Sequence, residues 1–113
     1  MSDNLDMLMQ PSGNELYHSA DYMHYITTHL KYLKENGASQ TEINRGLVNK
    51  FQFNFFSLLV ELNYSAEDFI PLLLINGFSS PSEMTNEFEV MTIPNPEVLS
   101  NLKSLYRYQN KRV

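Results

Sequence analysis

The sequence predicts an all-α domain, a compact bundle of about five helices, and three observations carry that prediction. Apolar residues recur at steps of three and four through most of the chain, the period of a helix with one buried face. The segments patterned in this way are punctuated by residue pairs that start or stop helices: Asn36-Gly37, Ser65-Ala66, Asn76-Gly77, Ser80-Pro81 and Asn95-Pro96. The long apolar run from Phe51 to Leu62 has no hairpin signal on either side.

Composition sets the bounds. At 113 residues, 42% hydrophobic and 19% charged, the chain has the size and balance of one globular domain with a core of its own. It contains no cysteine, which excludes disulfides, thiolate metal sites and thiol nucleophiles and fits a reducing compartment. The opening Met1-Ser2-Asp3-Asn4 is acidic where a signal peptide is basic and then apolar. The apolar run from Phe69 to Ile75 is far shorter than the ~20 residues of a membrane helix, and Pro71 interrupts it. A soluble, cytoplasmic protein with no membrane partner is expected.

Residues 1–13 read as a separate acidic segment. Leu5, Leu8 and Met9 sit at helical spacing beside Asp3 and Asp6, and Pro11-Ser12-Gly13 then breaks the pattern. Residues 14–113 read as a single helical domain. From Glu15 to Glu35 a first stripe, Leu16, Ala20, Met23, Ile26, Leu30 and Leu33, keeps to one helix face. A second stripe, His18, Tyr22, Tyr25, His29 and Tyr32, lies one residue, about 100°, around the helix. Aromatic rings with polar tips suit a surface that is alternately wet and buried. Tyr22, Tyr25, His29 and Tyr32 are therefore the candidate protein interface, unless the helix is covered on two sides by its own domain.

Ser39-Gln40-Thr41-Glu42 has the form of a capping box opening a helix through Ile43, Leu47, Val48 and Phe51. The apolar run continues to Leu62. Its first part, Phe51 to Phe55, alternates, but Phe55, Leu58, Leu59 and Leu62 follow the helical rule, so a buried central helix is expected. Ser65 starts the next helix, with Pro71 producing either a kink or a late start. Ser80-Pro81-Ser82-Glu83 opens a short one. Phe88, Val90 and Thr92 alternate with Glu87, Glu89 and Met91, allowing one short, isolated extended segment near residues 87–92. Asn95-Pro96 caps the last helix, with Leu99, Leu102, Leu105 and Tyr106 inward and Lys103, Arg107 and Lys111 four apart on another face.

Charge and motif narrow the function. Thirteen acids against eight bases give −5, unevenly placed: residues 98–113 carry Lys103, Arg107, Lys111 and Arg112 and no acid. The acidic body repels a phosphate backbone, so those four are the candidate phosphate contacts, unless they simply complement the helix dipole. The stretch from Gln40 to Lys50, with Asn44, Arg45, Asn49 and Lys50, is a second candidate for contact with DNA. The glycines are scattered and form no phosphate-cradling loop, and there is no nucleophile elbow. His18 and His29 share a face but stand about 16 Å apart at ~1.5 Å per residue, too far to share a metal ion. No cofactor, metal or catalytic residue is expected. The expected function is that of a small acidic, non-catalytic regulatory or adaptor protein that binds another protein, including itself as a homodimer. A DNA-binding transcription regulator using the basic C-terminal helix is the alternative, and a small hydrolase or metal-dependent enzyme the least favoured.

Overall fold

The computed structural model describes residues 16–110. The acidic segment 1–13, with Leu5, Leu8 and Met9, lies outside them, as do Lys111 and Arg112. The described residues form six α-helices and a two-stranded sheet: α1 (Ala20–Thr28), α2 (Leu30–Glu35), β1 (Ser39–Glu42), α3 (Arg45–Phe51), α4 (Phe55–Glu61), α5 (Phe69–Ile75), β2 (Val90–Ile93) and α6 (Pro96–Gln109). Single 3-10 turns occupy Ala66–Asp68 and Pro81–Glu83. The fold is mostly helical, and all-α only approximately.

The single helix expected from Glu15 to Glu35 is two helices joined at His29. Ser19 caps the first, its hydroxyl accepting from the Tyr22 N–H at 3.0 Å. The His29 N–H lies between the Tyr25 and Ile26 carbonyls, at 3.2 and 3.0 Å, and its φ of −102° leaves the helix. Just before it, the Thr27 and Thr28 hydroxyls donate back to the carbonyls of Met23 and His24 at 2.8 and 3.0 Å. Such back-bonding competes with the helical ladder and bends helices. Gly37, at φ +90°, ends α2 as the Asn-Gly pair implied.

Ser39–Glu42 is a strand and not the capped start of a helix. It pairs antiparallel with β2, from Ser39 opposite Ile93 to Glu42 opposite Val90. The cap falls to Asn44, whose Oδ1 accepts from the Leu47 N–H at 3.1 Å. The extended segment near 87–92 is therefore present as Val90–Ile93, and β1 is its partner. On its far side β2 meets Asn76 from the end of α5. The Asn76 Oδ1 accepts from the Thr92 N–H at 2.7 Å, while its Nδ2 donates to Thr92 O at 3.0 Å and Leu72 O at 2.7 Å.

The run from Phe51 to Leu62 is broken too. Phe53 has a φ of +66°, which ends α3, and its N–H donates to Met84 O at 2.6 Å. Asn54 then caps α4 through Ser57 N–H. The alternation at Phe51, Phe53 and Phe55 marks this non-helical link, and Phe53 itself is 59% exposed.

The centre of the molecule is α5, not the Phe51–Leu62 run. Phe69, Ile70, Pro71, Leu72, Leu73 and Ile75 are all buried. Helices α1, α2 and α4 and strand β2 pack against it. Pro71 lies in its first turn, where the missing N–H costs nothing. The preceding 3-10 turn, capped by Ser65, delivers the chain to that late start.

Helix α6 runs antiparallel to α1 and α2. Tyr106 OH meets Ser19 Oγ at 3.3 Å, Tyr25 OH donates to Leu102 O at 2.9 Å, and Gly37 lies against Asn95, where a Cβ would stand 2.8 Å from Nδ2. Leu99, Leu102 and Tyr106 face inward, but Leu105 is 53% exposed. It sits about 100° around the helix from Tyr106, off the buried stripe.

Replacing Asn76 with alanine removes the two hydrogen bonds that tie the end of α5 to Thr92 of β2, along with one to Leu72 O within α5, and leaves the Thr92 groups part-buried and unpaired. A loss of about 1–3 kcal/mol is expected in urea unfolding. Asn36→Ala, which removes one exposed bond to Tyr32 O, is expected to change stability by no more than about 0.5 kcal/mol.

Candidate functional site

The aromatic stripe of α1 divides between core and surface. Tyr22 is fully buried, so it belongs to the core and is not part of a protein interface. Tyr25 is half-buried and anchored to Leu102 O, and the His29 ring stands edge-on to it at 4.7 Å. Tyr32, beyond the break at His29, is 51% exposed. His18 is exposed, its Nε2 2.8 Å from Ala66 O and its ring edge-on to Phe56 and Phe69. The second stripe is therefore covered by its own domain at Tyr22, partly covered at Tyr25 and His29, and open at His18 and Tyr32.

What covers Tyr22 is a group of tyrosines. Its ring centroid is 5.0 Å from Tyr17 and 4.8 Å from Tyr106, and Tyr25 lies 4.9 Å from Tyr106. Sequence reasoning missed Tyr17, because it precedes the Ser19 cap and so falls outside any helical period. Among the described residues, the hydroxyls of Tyr17 and Tyr22 have no hydrogen-bond partner. Burial first, and then the nearby Asp68 carboxylate, push the ionisation of Tyr22 far above the usual tyrosine range. Burial raises Tyr25 as well.

Lys103 closes this group from α6. Its ammonium donates to Asp68 at 2.7 Å and Glu67 at 3.3 Å, and stands 6.0 Å from the centroid of the Tyr17 ring. Burial works to lower its pKa, but the bonds and charges of Asp68 and Glu67 outweigh that and hold it above the ordinary lysine value. Lys103 is thus a structural cation with a 17% exposed side chain, not an available phosphate contact. Arg107 is exposed, and Lys111 and Arg112 lie outside the described residues. A small recess of about 80 Å³ between Tyr64, Asp68, Leu72, Ile93 and Leu99 contains one carboxylate, Asp68, which Lys103 already holds.

The second DNA-binding candidate also reads differently in three dimensions. Gln40 belongs to a strand, Asn44 is spent on the cap, and Arg45 approaches Glu89 at 3.6 Å. Lys50 lies over the Phe51 ring at 5.3 Å. Among the described residues, no three His, Asp or Glu side chains are grouped closely enough to hold a metal ion, and no helix is long and apolar enough to cross a membrane.

Large apolar side chains are exposed on several elements, among them Phe53 before α4, Val60 on α4 and Val90 on β2. Tyr32 on α2, Leu105 and the 77% exposed Tyr108 on α6 are large side chains left to solvent. Arg107 and Tyr108 also line a recess of about 440 Å³ with Leu16, Ser104 and Asn110. Comparison of the chain with protein-family models, curated proteins and solved structures gives no match, so the functional reading rests on this surface.

Two outcomes follow from the buried tyrosine. Tyr22→Phe removes an unpaired hydroxyl from the core and is expected to stabilise the protein by about 1 kcal/mol at neutral pH, read from urea unfolding. The folded state holds the Tyr22 and Lys103 protons more tightly than the unfolded state does. The stability they carry is therefore complete below about pH 10 and falls as pH rises beyond the unfolded values. Tyr22→Phe is expected to flatten that alkaline decline, as followed by unfolding free energy between neutral and strongly alkaline pH.

Proposed function

We propose that this chain is a small acidic, non-catalytic regulatory or adaptor protein that acts by binding another protein. The observation that carries the reading is the exposure of Tyr32 on α2 and of Leu105 and Tyr108 on α6, the helix to which Tyr25 of α1 is tied through Leu102 O. Leu102, Leu105 and Tyr108 advance along α6 in steps of three, so one turn leads from the buried contact to the open surface. Tyrosine and leucine left half or more exposed beside a rigid helix pair supply apolar area at little cost in conformational entropy, which suits a docking surface. The binding face is thus Tyr25, His29 and Tyr32 with Leu105 and Tyr108, and Tyr22 supports it from beneath.

Protein is preferred to nucleic acid as the partner because of Lys103. A phosphate group would have to displace two carboxylates, Asp68 and Glu67, from its ammonium. The remaining exposed cation of α6 within the described residues, Arg107, faces a body in which residues 1–97 hold every one of the 13 acids.

The test compares the wild type with the double variant Tyr32→Ser, Leu105→Ser as immobilised baits in an extract of the source cells. Both positions are exposed, so circular dichroism and melting are expected to change little. A specific protein bound by the wild type and weakened at least tenfold, by roughly 1.4 kcal/mol, in the variant is the expected result. The same proteins on both baits would contradict this surface. Salt-steep retention on duplex DNA that Arg107→Ala abolishes would favour the nucleic-acid reading instead.

A further inference from the structure

The two edges of the small sheet are treated differently. Facing residues in an antiparallel pair alternate between those that exchange hydrogen bonds and those that do not. Thr92 turns both of its backbone groups to Asn76, away from β1, so Gln40 and Thr92 are a non-bonded pair. The Ile43 N–H donates to Glu89 O at 3.0 Å, which sets the same alternation from the other end. Gln40 and Glu42 therefore direct their N–H and C=O groups away from β2. Among the described residues nothing hydrogen-bonds to these four groups, and every residue of β1 is exposed. The outer edge of β2, by contrast, is closed at Thr92 by a carboxamide that supplies donor and acceptor as a neighbouring strand would.

We propose that the open edge of β1 pairs with β1 of a second copy of this chain, antiparallel, about a two-fold axis through Thr41. Only residues whose backbone groups point outward can bond across such an axis, so Gln40 of each copy meets Glu42 of the other. Two such pairs exchange four N–H···O=C bonds. The side chains agree with that register. Each Glu42 carboxylate faces a Gln40 carboxamide, which can donate to it, and Thr41 faces Thr41, a favourable cross-strand pair. An axis through Glu42 would set two carboxylates opposite each other. An axis through Gln40 would need Ala38, which lies outside the strand.

Charge supports the same occupant. Lys34 lines a recess of about 560 Å³ with Ala38, Ser39, Gln40, Ile75 and Thr92. The Glu42 that arrives opposite Gln40 therefore comes toward an exposed ammonium. This surface is separate from the α2–α6 surface of the preceding section, and the inference stands whether or not that reading holds. A four-residue polar edge makes the contact weak, so the dimer forms with rising concentration.

Sedimentation equilibrium, with hydrogen exchange read by NMR, tests the pairing. The wild type is expected to dimerise with rising concentration while the Gln40 and Glu42 amides gain protection. Gln40→Lys sets a cation opposite each Glu42 and is expected to tighten the dimer by about two- to thirtyfold, whereas Gln40→Glu weakens it by a similar factor. Gln40→Pro removes an outward N–H that β2 does not use and is expected to abolish dimerisation. The side chain is exposed, and circular dichroism checks that each variant folds. A monomer at all concentrations up to about 1 mM would overturn the proposal. So would a dimer indifferent to the charge at position 40. Protection of the two amides in a monomer would assign the edge to another segment of the same chain, and would overturn it too.

Discussion

A seven-residue helix that is apolar on every face has to be covered on every face, and α5 imposes that demand on the rest of this chain. Its six buried residues are met by α1 and α2 on one side, α4 on another and β2 at its end. The local chemistry of α5 serves the same requirement. Pro71 sits where a helix tolerates proline, because the 3-10 turn before it delays the start. Asn76 ends the helix and in the same stroke closes the edge of β2, adding its carboxamide bonds to the burial of Met91 that seats the sheet on the core.

Around that core the chain keeps a second, more polar layer. Tyr17, Tyr22, Tyr25 and Tyr106 pack ring against ring, and Lys103 bridges from α6 to Glu67 and Asp68 at the approach to α5. Two of the hydroxyls in this layer lack partners among the described residues, an arrangement that ordinarily costs about 1–3 kcal/mol each. The same layer determines what remains outside. Because α6 covers Tyr22 and holds Tyr25, the aromatic stripe is buried in its middle and reaches solvent at His18 before α1 and at Tyr32 on α2.

The parts of this fold legible in sequence are those decided by neighbouring residues. Asn36-Gly37, Ser65, Asn76-Gly77, Ser80-Pro81 and Asn95-Pro96 all mark real starts or ends, because a cap or a left-handed glycine acts within one turn. The parts that were misread depend on distant residues. Ser39-Gln40-Thr41-Glu42 meets the pattern of a capping box, yet its partner Val90–Ile93 lies some fifty residues away, and Asn44 offers a competing cap. The break at Phe53 is held by Met84 O, again from far along the chain. The stripe Tyr22, Tyr25, His29 and Tyr32 was visible as a stripe, but which of its rings α6 would cover was not. Lys103 looked like a tail cation because Glu67 and Asp68 become its neighbours only when the chain folds.

The central claim is that α5, and not the longer apolar run from Phe51 to Leu62, is the element on which the structure closes. Native-state hydrogen exchange, resolved by residue in increasing denaturant, measures this directly. The account predicts that the hydrogen-bonded amides of α5 exchange only through global unfolding, with α1 and α4 opening earlier or together with it. Amides of α4 that remain protected after those of α5 have exchanged would contradict it.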